Sequence, residues 1–337
     1  MGFRFFKRIR IAPGLSINLS KSFPSLSIGP RGMKYTISPR GKRMTFGLPG
    51  TGLSYTTTSR WNNNPDKSDE APSLDDGVLS GMFKSADERA FISGLKLFLT
   101  DQTDDAYAAF ASNKTVIDSI FMHGFLSLGK GFYSEAEGDF VKCQNRLKEL
   151  GRLINQCTKS FKLSLSVTEY IQASIDADER GLALAYVESL QKQGKFAQAM
   201  SVVSHLWNSN PSDSVICLSL CDLVVANPAA TKTELEDVIK MTALIENDEP
   251  IFTNILYLRA AALFRMHAID DAVTQLSGIL RKKSGRPIDM MHQIRYLRAR
   301  AFEQQQNTKM AEKDYRLIFT EDPQYKDVGN RLSCQNP

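Results

Sequence analysis

The sequence predicts a segregated α+β chain: a small all-β module of about five short strands over residues 1–58, a flexible linker over 59–77, and an all-α array of helical hairpins over 78–337. Three observations carry that prediction. Residues 15–57 alternate apolar and polar side chains with period two, residues 59–77 break in composition, and from about residue 78 the apolar period becomes 3.6.

The composition is that of an ordinary globular protein, with 42% hydrophobic and 23% charged residues in a chain of 337. No long uncharged apolar window occurs, so no transmembrane segment is expected. The basic start, Met1 to Arg8, is interrupted by Pro13, Gly14, Asn18 and Lys21 rather than followed by an apolar core, which argues against a signal peptide. Gly2 lacks the Ser or Thr four residues on that myristoylation wants, because Phe6 stands there. The five cysteines (Cys143, Cys157, Cys217, Cys221 and Cys334) are odd in number and scattered, which suits a reducing compartment and a cytoplasmic protein. Cys217 and Cys221 lie one helical turn apart without a second pair of ligands, so they read as core residues rather than a metal site.

The formal charge of +5 hides an asymmetry. Residues 1–60 hold eleven Lys or Arg and no Asp or Glu, whereas the rest of the chain holds 31 basic and 37 acidic side chains. A basic block of that density favours an anionic partner: nucleic acid, an anionic membrane surface, an acidic protein, or the chain's own acidic half. The candidate anion-binding residues are Arg4, Lys7, Arg8, Arg10, Arg31, Lys34, Arg40, Lys42 and Arg43. A solvated surface is the plainer reading of the same charges.

Within the β module a nine-residue spacing recurs, through Leu19, Ile28, Ile37, Phe46 and Tyr55, and through Ile17, Leu26, Tyr35, Met44 and Leu53. Turn chemistry falls between them in register at Gly29-Pro30-Arg31-Gly32, Ser38-Pro39-Arg40-Gly41 and Gly47-Leu48-Pro49-Gly50. Proline presets one turn dihedral and glycine supplies the positive one. One face of such a sheet is apolar and needs a cover, which Phe3, Phe5 and Phe6, the helical region, or a second copy in a homo-oligomer would provide. The glycine-rich run 47–52 has no following Lys-Ser/Thr and no helix signal, so it reads as a turn and not a phosphate cradle. Phe5, Phe6, Tyr35 and Tyr55 alternate with the apolar face and read as core rather than as base-stacking platforms.

The stretches Met1-Gly2-Phe3-Arg4, Ile11-Ala12-Pro13-Gly14, Asn18-Leu19-Ser20-Lys21-Ser22 and Pro49-Gly50-Thr51-Gly52-Leu53-Ser54-Tyr55 resemble, in order and spacing, a bacterial family known only as domain of unknown function 4236. The resemblance covers residues 1–58, with Phe23-Pro24 where small residues are usual, and implies no activity.

Residues 59–77 are rich in Asn, Pro, Ser and Asp, as a flexible linker is. Beyond them the clearest unit is Arg180–Asp213, where Ala183 and Val187 are the small positions of a first helix, Gly194 turns the chain, and Phe196, Ala199, Val203 and Leu206 line a second helix that ends at Pro211. This resembles a tetratricopeptide repeat. The frame recurs with more erosion at 292–325 (Ala299, Phe302, Ala311, Tyr315, Ile318, Pro323) and at 253–286 (Ala260, Leu263, Ala272, Leu276), where His267 replaces the turn glycine. It recurs again at 117–150 (Gly124, Gly131, Ala136, Phe140) and 87–116 (Gly94, Leu97, Ala106, Phe110, with Asp101 at the turn). A helix pair split by Asn227-Pro228 is expected over 212–247, and residues 151–179 fit no frame and read as an irregular insertion.

The family resemblance implies a concave groove lined by first helices. Its exposed positions fall on Leu184, Glu188 and Gln191, on Asn254, Tyr257 and Arg265, and on Gln293, Tyr296 and Arg300. Tyrosine and arginine are enriched at binding hot spots, although they are also ordinary surface residues. The four histidines are isolated, with no nucleophile–base or metal-ligand spacing, so no catalytic, metal or cofactor site is expected. The expected function is therefore a non-enzymatic scaffold whose repeats bind a protein or peptide. The rivals are a nucleic-acid or membrane-surface binder acting through residues 1–60, and an enzyme with an unfamiliar site.

Overall fold

A computed structural model describes residues 85–334 apart from 159–160 and 283, and, ahead of them, the backbone of six strands between residues 6 and 60. The strands are β1 (Phe6–Ala12), β2 (Leu15–Ser20), β3 (Ser25–Ile28), β4 (Met33–Ser38), β5 (Gly41–Gly47) and β6 (Ser54–Arg60), paired antiparallel in chain order. The register sets Ile9 opposite Ile17, Ile17 opposite Leu26, Tyr35 opposite Met44 and Phe46 opposite Tyr55. The expected strand count of about five is corrected to six: Lys7-Arg8-Ile9-Arg10-Ile11 alternates charged and apolar residues and joins the sheet as its first strand. The expected linker at 59–77 lies outside the described residues, apart from its first two positions, which end β6.

The helices are α1 (Ala86–Leu99), α2 (Thr103–Ser112), α3 (Ile117–Lys130), α4 (Tyr133–Asn145), α5 (Arg152–Cys157), α6 (Glu179–Lys192), α7 (Phe196–Ser209), α8 (Ser214–Ala226), α9 (Lys232–Met241), α10 (Pro250–Arg265), α11 (Ile269–Ile279), α12 (Ile288–Gln304), α13 (Thr308–Glu321) and α14 (Val328–Cys334). Local chemistry explains their starts. Ser85 and Thr231 form capping boxes with Glu88 and Glu234, and the Asp213 carboxylate accepts from Val215 N at 2.8 Å. Proline occupies the first turn of α10.

Five hairpin frames share one internal geometry. A small or short residue on the first helix (Gly94, Gly124, Val187, Ala260, Ala299) is followed by a buried alanine (Ala106, Ala136, Ala199, Ala272, Ala311) and a buried larger residue (Phe110, Phe140, Val203, Leu276, Tyr315) at constant spacing. Between them, always at the same offset, one residue takes positive φ: Asp101 at 66°, Gly131 at 83°, Gly194 at 71°, His267 at 61° and Gln306 at 59°. Around four of these turns, backbone bonds from Gln102 N to Leu97 O, Phe132 N to Ser127 O, Ala268 N to Leu263 O and Asn307 N to Phe302 O close the preceding helix. This is the Schellman arrangement, which satisfies the last carbonyls of a helix.

Two compact bodies divide the chain. The first holds the residues up to Ser166 together with Gln172–Gln193, and the second holds Val167–Ile171 and Gly194–Pro337. In the first body α1 packs on α2 through Phe91 and Phe110, and α3 on α4 through Phe121 and Phe140. A buried polar cluster ties α3 to α4. His123 Nδ1 bonds the Asp139 carboxylate, Tyr107 stacks on the imidazole at 4.6 Å, and Lys142 reaches Asp139 at 2.9 Å. Burial opposes ionisation of Asp139, but hydrogen bonds from His123 and Lys142 and the Lys114 charge outweigh it and hold the carboxyl below the usual aspartate value.

The expectation that residues 78–337 are all α, with an irregular insertion at 151–179, is corrected. The insertion contains α5 and an antiparallel hairpin of β7 (Leu163–Ser166) and β8 (Gln172–Ile175). Leu163, Leu165, Ala173 and Ile175 are buried and alternate with polar neighbours, a period of two within a stretch otherwise read for helical frames. The Asp118 carboxylate, on α3, anchors the insertion by accepting from Gly151 N at 2.6 Å, Leu153 N at 2.8 Å and Ile154 N at 3.0 Å. Those are the orphan amides at the start of α5.

In the second body α8 packs between α7 and α10, α10 pairs with α11, and α12 with α13, while α14 closes the end. Ala299, Phe302, Ala311, Tyr315, Ile318 and Val328 form its last core cluster. The largely buried Arg298 and Asp314 form a two-pronged pair, both contacts at 2.7 Å, and Arg298 also reaches Ser277 at 3.1 Å, binding α12 to both neighbours.

Candidate partner-binding surface

The nine groove residues expected from the sequence divide into groups. Leu184 and Asn254 are buried, each about 2% exposed, which corrects their assignment to an open surface. The reason is the same for both. Helix α6 buries Leu182, Ala185, Val187 and Leu190, and α10 buries Ile255, Leu256, Leu258 and Ala260–Ala262, so neither helix keeps one wet face. Arg265 is also corrected. Its guanidinium donates to the carbonyls of Val224 at 3.2 Å, Val225 at 2.9 Å, Asn227 at 2.9 Å and Pro228 at 3.3 Å, closing the C-terminal end of α8. Glu188, its side chain largely buried, pairs with the exposed Lys192 at 3.2 Å, and Gln191 is half-buried.

Tyr296 and Arg300 are held by the C-terminal segment, whose last helix has no counterpart in the repeat frame. Tyr296 donates to Asp327 at 2.7 Å, Asp327 pairs with Arg331 at 2.9 Å, Arg331 with Glu303 at 2.9 Å, and Glu303 with Arg300 at 3.2 Å. Gln293, on the same helix, is half-buried, and its Oε1 is buried without a hydrogen-bond partner.

The structure sets Tyr296 in an aromatic cluster with residues the sequence reading did not single out, while Tyr257, on α10, is half-buried. Tyr325 meets Tyr296 edge-on at 6.1 Å and His292 at 5.5 Å. The Lys326 ammonium lies 4.6 Å from the Tyr296 ring centre and 5.3 Å from that of Tyr325. The β7–β8 tip, Val167–Ile171, belongs to this body, and Tyr325, Glu169 and Tyr257 act electrostatically on its half-buried Tyr170. Burial first, then these neighbours, push the Tyr170 and Tyr257 phenols well above the ordinary tyrosine range, and burial pushes Tyr325 up to about 12. Burial lowers the Lys326 ammonium, against the opposing pull of Glu169 and Asp327. The available signal for Tyr325 and Lys326 was their place just after Pro323, where a chain leaving its last frame folds back.

Of the anion-binding candidates, Lys7, Arg8 and Arg10 are in β1, Lys34 in β4, and Lys42 and Arg43 in β5. Arg4, Arg31 and Arg40 lie outside the described residues. Among the described residues no group of three or more His, Cys, Asp or Glu side chains is arranged to hold a metal ion, and no helix is long and apolar enough to cross a membrane.

The repeated hairpins and their left-handed turns define a tetratricopeptide-like helical-repeat protein. Residues 3–56 match the family described as "Protein of unknown function (DUF4236)". Among solved structures, the chain resembles the N-terminal domain of the EccA1 ATPase from the ESX-1 secretion system of Mycobacterium tuberculosis. The identity is 14% and the TM-score 0.54, over 74% of this chain and 90% of that one. A tetratricopeptide repeat protein from Parabacteroides merdae matches at 12% identity and a TM-score of 0.41, over 74% of this chain and 83% of that one. No curated protein matches.

Proposed function

We propose that the chain is a non-enzymatic interaction scaffold whose C-terminal helical body binds a protein or peptide through the surface formed by Tyr257, Tyr296, Tyr325 and Lys326. The observation that carries this reading is the Lys326 ammonium stacked over the rings of Tyr325 and Tyr296, the latter on a first-helix position that faces the groove in the repeat frame. Aromatic rings with one basic group offer apolar area and a fixed charge together, the combination found at binding hot spots. The reading sets the chain in the cytoplasm, which the four free, buried cysteines among the described residues suit.

The test is affinity capture with the full chain and with a Tyr257→Ala, Lys326→Glu variant, whose fold is checked by circular dichroism. A partner held by the parent and lost by the variant supports the reading. A partner held equally by both refutes it.

A second reading is supported by the charge layout alone. The eleven Lys and Arg residues within 1–60, unaccompanied by acids, would hold an anionic surface or nucleic acid, or dock and oligomerise the chain. A titration of the full chain with DNA, RNA and anionic vesicles across a salt series tests it, because phosphate contacts weaken steeply with salt.

A further inference from the structure

Residues 327–332 are latched to α12 where the repeat frame turns its side chains outward. Tyr296 donates to Asp327 at 2.7 Å, and Arg331 pairs with both Asp327 and Glu303 at 2.9 Å. The Arg331 guanidinium also stands 5.9 Å from the Tyr315 ring centre. Val328 is buried in the last core cluster, with Phe302, Tyr315 and Ile318, and Leu332 packs against that cluster. The seat on α12 and α13 is thus an apolar socket beside a tyrosine hydroxyl and a carboxylate. It is filled by a helix that brings an Asp and, one turn later, an Arg.

That helix is weakly made. α14 has seven residues, too few for a helix to hold by itself. Gly329 lies inside it, where glycine lowers helix stability, yet a methyl group there would stand 3.6 Å from the Phe319 ring, an ordinary contact. Neither a turn nor close packing asks for this glycine. Just ahead of the helix Lys326 has φ of 45°, a left-handed conformation that a lysine adopts at a cost.

We propose that α14 is a gate on a seat for a partner's short helix. The partner helix carries an acidic residue, an arginine four residues later, and an apolar residue after each, as Asp327-Val328 and Arg331-Leu332 do. On binding it displaces α14, which swings away on the Lys326 turn. The proposal rests on the scaffold reading above, whose Tyr325 and Lys326 lie ahead of the moving helix, and adds the partner's chemistry and its control. A partner helix with the same four groups and no glycine competes from a stronger helix. The internal occupant lowers that partner's apparent affinity by the fraction of time the seat is open.

The experiment uses the full chain and a fluorescently labelled synthetic peptide of residues 326–333 carrying Gly329→Ala, read by anisotropy. Arg331→Glu in the chain sets a third carboxylate against Asp327 and Glu303 and opens the gate. That chain is expected to bind the peptide roughly tenfold more tightly than the parent. Gly329→Ala in the chain steadies α14 and weakens peptide binding about fivefold. Adding Tyr296→Phe with Glu303→Gln to the Arg331→Glu chain abolishes the gain, and a peptide with its Asp and Arg exchanged does not bind. Circular dichroism checks each fold, and Asp327→Asn, which leaves the buried Val328 in place, is the milder opener if Arg331→Glu loosens the last frame. Equal binding by parent and opened chains, binding by neither, or a gain that survives Tyr296→Phe with Glu303→Gln overturns the proposal. A partner captured through Tyr257 and Lys326 that the Arg331→Glu chain holds no more tightly than the parent overturns the gate alone and leaves the scaffold reading standing.

Discussion

The edge of the Phe140 ring stands where a side chain at position 124 would begin: a methyl group on Gly124 would lie 2.9 Å from Phe140 Cε1. Phe110 holds the same relation to Gly94, at 2.8 Å. In both hairpins of the first body the aromatic ring of the second helix lies against bare backbone of the first, and that contact fixes how close the two helices come. Gly124→Ala is therefore expected to destabilise the chain by about 1–3 kcal/mol, as overpacked cores do. Phe140→Leu in the same chain recovers part of the loss, as urea denaturation followed by circular dichroism will show. Additive losses would mean that the two residues are not in conflict.

The turn geometry supplies a second expectation. Asp101, His267 and Gln306 occupy the left-handed positions that Gly131 and Gly194 fill in the other frames. A side chain in that conformation costs roughly 1–2 kcal/mol, partly offset by the greater unfolded-state freedom of glycine. His267→Gly and Gln306→Gly should each raise stability by about 0.5 kcal/mol, and Gly194→Ala should lower it by about 1 kcal/mol. A shift of the urea midpoint in the opposite direction for either glycine substitution would contradict the strain assigned to these turns.

The frame itself was legible because spacing survives erosion. Gly94, Gly124, Ala260 and Ala299 kept their distance to a turn and to an inner aromatic or aliphatic residue although the turn glycine was lost in three frames. The groove was less legible, because exposure is a tertiary property. Asn254 sits at a groove position yet is buried, and Arg265 is drawn to the open carbonyls at the end of α8. The β7–β8 tip could not be placed from the sequence, since it belongs with the body that resumes at Gly194. The β7–β8 hairpin carried a period-two signal, but over strands of only four residues each.

Acid should find the α3–α4 pair first. The Asp139 carboxyl lies below its ordinary value in the folded chain, so its contribution is fully present above the unfolded value of about 4 and is lost as pH falls through the folded one. Asp139→Ala, which leaves His123 and two lysines facing a vacated site, is expected to destabilise by about 3 kcal/mol at pH 7 and to flatten the stability profile below about pH 4. Parallel profiles for parent and variant below that pH would show that Asp139 is not the titrating group.

Burial pushes the Cys143 thiol up to about 12 and the Cys157 thiol up to about 11. Only the thiolate is nucleophilic. Both cysteines should resist Ellman's reagent at pH 8 in the native chain and react once urea is added. Native labelling of either, located by peptide mapping, would mean that the first body opens locally far more often than its packing implies.

The insertion between the second and third frames also bears on the order in which the molecule is made. The β7–β8 tip belongs to the body that resumes at Gly194, so the nascent chain carries Tyr170 and two large aliphatics, Val167 and Ile171, before that body exists. Ordinary helical hairpins close on residues just made, and this bend waits for a body made after it. Arrest of translation before that body is made would leave the tip bare, and a truncated chain of that length is the form in which it is most open to proteases and to other chains.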